Sequence, residues 1–173
     1  MGSEFFTTYQ AGTDAKAAFE AAVEDARYEY GHRSYTGTIA EKDAYTVIDT
    51  TPIPLYEAER KAGELADAAD PRIDNKRGPA GALPVLTGER TVDLDISAAD
   101  APQGGFEDLE EAASQILTAR GLLRTGEKVA YGVTGSYRRH PRTGRLVSGV
   151  LRVPLKGGPL EHTGWLFFGW ASC

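Results

Sequence analysis

Apolar residues recur every three or four positions at Ala15, Phe19, Ala22, Val23, Ala26 and Tyr30, which places them on one helix face. Lys16, Glu20, Glu24 and Arg27 fall largely elsewhere. Thr13 stands where a cap is needed, Asp14 suits the first turn, and Gly31 offers a left-handed stop, so a helix is predicted over 13–30. Residues 35–40 and 44–50 are rich in Tyr, Thr, Val and Ile on either side of Glu41-Lys42-Asp43, a pattern that predicts a β-hairpin. Gly37 interrupts its first strand and marks a bulge or a close backbone approach. Pro52 and Pro54 end the second strand. Leu55, Ala58, Ala62, Leu65, Ala66 and Ala69 then predict a helix over 55–69, stopped at Asp70-Pro71.

Residues 70–84 carry prolines, glycines and the charges Arg72, Asp74, Lys76 and Arg77, which reads as a loop. A short strand is expected over 83–86, and Val92, Leu94 and Ile96 alternate inward in a second strand. Phe106, Leu109, Ala113, Ile116, Leu117 and Leu123 give a third helix, acidic at its start and with Arg120 and Arg124 at its end, as the helix dipole favours. The last third reads as a three-stranded meander. Val129, Tyr131, Val133 and Tyr137 alternate, then Val147, Leu151 and Val153. Residues 165–171 are apolar on both faces, which suits a central strand, or an edge strand covered by a helix or a partner. The expected architecture is α+β: three helices packed on a mixed or antiparallel sheet of about five or six strands, ending in a C-terminal β-meander.

At 173 residues, with 41% hydrophobic and 25% charged residues, the chain suits one domain with a sizeable core. No apolar run approaches the ~20 residues that span a bilayer, so no membrane partner is expected. The N-terminus has no secretory pattern, and the single cysteine, Cys173, allows no internal disulfide; both point to the cytoplasm. Gly2-Ser3-Glu4-Phe5 has the sequence of two adjoining cloning sites, so residues 1–5 are set aside and a single domain is expected over 6–173.

The net charge of −6 conceals two opposed blocks: acids dominate from Glu89 to Glu111, bases from Arg120 to Lys156. The clearest constellation is Arg138, Arg139, His140, Arg142 and Arg145 around a Thr143-Gly144 turn. Arginine forks match phosphate oxygens, so this hairpin loop is a candidate anion or nucleic-acid surface; the competing reading pairs its arginines with the 89–111 acids. A second wall is offered by His32, Arg33, Tyr35, Glu41 and Lys42, with Arg77: a proton shuttle, anion clamps and a carboxylate, though no spacing among them is diagnostic. His32, His140 and His162 lack metal-ligand spacing, and no phosphate-cradling glycine loop or nucleophile elbow is present, so no metal or cofactor is implied. Asp93 and Asp95 project to one side of their strand, where solvated carboxylates are the ordinary outcome.

The segments Gly-His-Arg-Ser-Tyr-Thr-Gly-Thr-Ile-Ala-Glu-Lys (31–42) and Asp-Asn-Lys-Arg-Gly-Pro-Ala-Gly-Ala-Leu-Pro-Val (74–85) resemble a set of uncharacterised small proteins of actinobacteria, haloarchaea and their phages. The resemblance implies a cytoplasmic, phage- or element-related protein and carries no site residues. The leading expectation is a non-enzymatic binding or interaction protein whose basic loop faces nucleic acid, another anion or a protein. The alternatives are an enzyme acting on a phosphate-bearing small molecule or nucleic acid, with the two walls converging, and a structural homo-oligomer, a homodimer for instance, built through the last strand.

Overall fold

The computed structural model describes residues 2–173. The chain is α+β, with three helices and two sheets, and its strands divide between two compact units. The first unit comprises the chain up to Thr87 together with Leu160–Cys173; the second is Gly88–Pro159.

In the first unit the strand order is β1 (Ser3–Ala11), β9 (Glu161–Ser172), β4 (Ala80–Thr87) and β2 (Tyr45–Val47), with β3 (Ile53–Pro54) also pairing with β4. β9 runs antiparallel to both β1 and β4, whereas β2 and β3 lie parallel to β4. Helix α1 (Ala15–Tyr30) is capped by Asp14, whose side chain accepts from the Ala17 N–H at 2.7 Å. Thr13 instead gives its carbonyl to the Trp165 indole N–H at 2.9 Å. Gly31, at φ 87°, stops the helix and donates its N–H to the Arg27 carbonyl.

One sheet face packs on α1: Phe19, Ala22, Val23 and Ala26 meet Ala80, Ala82, Trp165 and Phe167. The other face packs on α2 (Leu55–Asp67), where Ala58 and Ala62 meet Ile73, Leu83, Val85, Leu166 and Phe168. Alternate residues of β9 therefore serve two cores, which explains a strand apolar on both faces. It pairs with β1 on one side and with β4 on the other, as a central strand of the first sheet.

The second unit holds β5 (Arg90–Ile96), β6 (Lys128–Val129), β7 (Thr134–Arg139) and β8 (Leu146–Lys156). β8 pairs with β5 on one side and with β7 and β6 on the other. Helix α3 (Leu109–Ala119) covers one face, burying Ala112, Ala113, Ile116 and Leu117 against Leu94, Ile96, Leu151 and Val153. Asp108 accepts from the Glu111 N–H and Glu111 reaches back to the Glu107 N–H, a reciprocal start for the helix.

Several expectations change. The single sheet becomes two, and the terminal meander is broken, because β9 leaves β8 and joins β1 and β4 instead. Residues 35–40 form no strand. Tyr35 and Gly37 take left-handed φ values of 70° and 69°, and Thr38 caps a single 3₁₀ turn, Ile39–Glu41. A hairpin strand needs extended backbone at those positions. Ser3, Glu4 and Phe5, set aside on sequence, belong to β1 and pair with Ser172, Ala171 and Trp170.

Candidate functional site

Past Gly31 the chain cannot continue as helix or pair as strand, so 32–38 becomes a compact loop at the C-terminal end of α1. Glu41 organises it. Its Oε1 accepts from the Thr36 N–H at 2.5 Å and the Gly37 N–H at 3.3 Å, and its Oε2 accepts from the Ser172 N–H at 3.1 Å. The Gly37 N–H also donates to the Ser172 carbonyl. The loop is thereby fixed to the end of β9.

A second loop, 70–79, faces it. Ile73 is buried under α2 and anchors this loop, and Asn75 closes a turn by accepting from the Arg77 N–H through its side chain and from the Gly78 N–H through its carbonyl. Lys42 ties the two loops together. The residue is only 1% exposed, and its Nζ donates to the Lys76 and Gly78 carbonyls, each at 3.0 Å. Its Nζ also stands 6.0 Å from the centre of the Phe6 ring. Burial lowers the Lys42 pKa from the ordinary lysine value, and neighbouring Glu41 raises it in part.

The result is a cleft of about 550 Å³ whose cations are Arg27, Arg33, Lys76 and Arg77, with His32 and Tyr35 at its walls. Arg27 is steered by its Nε–H bond to the Ala40 carbonyl at 3.2 Å, and Lys76 reaches the Gly2 carbonyl at 3.4 Å. Among the described residues no carboxylate or carbonyl engages the guanidinium of Arg33 or Arg77. Among the described residues Glu41 is the one acid lining the cleft, and its oxygens are already turned to N–H donors. Tyr35 holds a left-handed backbone that costs a bulky residue energy, a feature that gathers at binding sites.

Thus His32, Arg33, Tyr35, Glu41 and Arg77 line one cleft, and the stretches 31–42 and 74–85 meet there. Lys42 supports that cleft from beneath rather than lining it. Sequence reasoning missed Arg27 and Lys76. Arg27 is one helical turn before Gly31 and so had to project toward the 32–35 loop, a signal available from spacing alone.

The other predicted residues belong to the second unit. The β7–β8 turn is closed by the His140 N–H to the Arg145 carbonyl at 2.7 Å and the Gly144 N–H to the His140 carbonyl at 2.8 Å. His140 Nδ1 accepts from the Arg142 and Thr143 N–H groups, so this imidazole serves the turn. Arg139 donates to the Gly144 carbonyl and lies over the Tyr137 ring; Arg145 pairs with Glu107 at 2.9 Å. Arg138 and Arg142 are exposed, and among the described residues their side chains have no partner. The opposed charge blocks also pair elsewhere: Arg120 with Asp100, Arg152 with Asp93, and Arg90 with Glu127. No described cluster of three or more His, Cys, Asp or Glu side chains could hold a metal, and no described helix is long and apolar enough to cross a membrane.

Comparison of the chain with protein-family models, with curated proteins and with solved structures finds no match.

Proposed function

We propose that the protein binds a phosphate-bearing small molecule in the cleft of its first unit. The observation that carries this is the charge arrangement: four permanent cations converge on one concave surface of a chain whose net charge is −6. Two of them, Arg33 and Arg77, keep free guanidinium forks, which suit phosphate oxygens bidentately. Calorimetric titration of inorganic pyrophosphate tests the reading. One site is expected, with affinity falling as salt rises and dropping at least about tenfold in the Arg33→Ala/Arg77→Ala variant. Absence of binding at low salt, or equal affinity in a folded double variant, would refute it.

A second reading has Arg138 and Arg142 contacting a nucleic-acid backbone, supported by their unpartnered exposure on the hairpin. It predicts single-strand or duplex binding that weakens steeply with salt and is lost in Arg138→Ala/Arg142→Ala. An anisotropy titration in which that variant binds as the native chain does would remove it.

A further inference from the structure

A second cavity of about 590 Å³ adjoins the cationic cleft, and Arg27 and His32 line both. Its character is different. Phe19 and Val23 supply apolar surface, Tyr28 stands beside them with 94% of its surface exposed, Glu20, Glu24 and Asp43 border it, and the buried Lys42 side chain also lines it. Glu20 lies 3.9 Å from Lys16, whereas Glu24 and Asp43 have no ion-pair partner among the described residues. We propose that the bound molecule is a nucleotide whose base carries an exocyclic amino group. Its phosphates sit among Arg27, Arg33 and Arg77, and its base lies along Tyr28.

Three features of the pair of cavities lead there. The cavities are joined through Arg27 and His32, so one ligand can occupy both, and their sizes suit a small-molecule site. A solvent-facing tyrosine ring on a rigid helix is a ready platform for a planar base. Carboxylates at the border accept hydrogen bonds from an amino group and repel the carbonyl oxygen that replaces it in uracil. A polyphosphate without a base would leave this second cavity empty, and a purely cationic ligand would be repelled by the first.

The inference rests on the phosphate reading above, and the test separates the two. Inorganic pyrophosphate, CDP and UDP are titrated into the native chain, into Tyr28→Ala and into Glu24→Gln/Asp43→Asn; the nucleotides differ in one amino group. CDP is expected to bind about tenfold more tightly than pyrophosphate, with UDP between them. Tyr28→Ala, a surface change that leaves the core intact, should bring UDP to the pyrophosphate level and weaken CDP several-fold without altering pyrophosphate itself. Glu24→Gln/Asp43→Asn should erase the preference for CDP over UDP. CDP binding no better than pyrophosphate, or unaffected by Tyr28→Ala, would overturn the nucleotide assignment while the phosphate site stands. Equal CDP and UDP affinity in the native chain would overturn the amino-base specificity. If none of the three ligands binds, the phosphate reading fails and the nucleotide assignment fails with it.

Discussion

Replacing Lys42 with methionine keeps most of the side-chain volume and deletes the ammonium that holds the 39–41 turn to the 76–78 loop. Two carbonyls, of Lys76 and Gly78, lose a charged donor at 3.0 Å. Hydrogen bonds to charged groups contribute about 1.5–3 kcal/mol each. Lys76 and Gly78 are half-buried, so water recovers part of the loss, and methionine also removes the cost of burying a charge. A net destabilisation of about 2 kcal/mol follows, which for a chain of this size lowers the unfolding midpoint by about 4–8 °C. Thermal unfolding followed by circular dichroism measures this directly.

The pH dependence of the same variant has a definite sign. The folded-state pKa of Lys42 lies below its ordinary 10.5, so over that interval the unfolded chain binds more protons than the folded one. The cost of burying the Lys42 charge is therefore relieved with rising pH across that interval and is absent above 10.5. The gap between the native chain and Lys42→Met should widen as the solution turns alkaline. The variant should also bind pyrophosphate more weakly, because Arg77 and Lys76 lose their fixed loop. An unchanged midpoint, together with a stability gap that does not vary with pH, would refute the assignment of Lys42 as the tie between the two loops.

Glu127→Gln should cost about 2 kcal/mol, because the buried carboxylate accepts two bonds from Arg90, at 2.7 and 2.9 Å, and one from the Arg124 N–H. Chiefly those Arg90 bonds hold the Glu127 pKa at about 2, against an ordinary 4.5. Its stabilisation is complete above pH 4.5 and is lost as pH falls toward 2, so acid-unfolding curves should be steeper for the native chain than for the variant in that window. Gly81→Ala would place a Cβ 2.6 Å from the Phe168 ring and 2.9 Å from Ile73, and should cost about 1–3 kcal/mol in denaturant titration. On the basic hairpin, Arg145→Ala should lower stability by about 0.5 kcal/mol through its exposed pair with Glu107, while Arg138→Ala/Arg142→Ala should leave the midpoint unchanged.

The elements that the sequence announced are those made by local pattern. The three helices and the stop at Gly31 follow from spacing and breakers read within a few residues, although α2 ends at Asp67, short of the expected Asp70-Pro71 stop, and α3 spans Leu109–Ala119 without Phe106 or Leu123. β5 follows from strict alternation, with Leu94 and Ile96 buried. What was hidden depends on partners far along the chain. β1 pairs with β9 across more than 150 residues, and β2 and β3 pair in parallel with β4 across an intervening helix. No local signal distinguishes β9 as the centre of the first sheet from β9 as the end of a meander. The hairpin expected at 35–50 failed because Glu41, read as a turn residue, collects backbone N–H groups from Thr36, Gly37 and Ser172, and so folds the first half of that segment into a loop. The same bonds create the cleft. Its residue types were visible in the sequence, but their convergence with Lys76 and Arg77 depends on Ile73 and Lys42, whose burial no periodicity marks.

The central claim, that the cleft between residues 32–36 and 76–78 takes a phosphate-bearing ligand, is most directly tested by titrating pyrophosphate into ¹⁵N-labelled protein and following the amide resonances. The account predicts saturable shifts at Arg33, Ser34, Tyr35 and Arg77, with residues 138–145 unmoved. Shifts confined to 138–145, or none at either place, would contradict it.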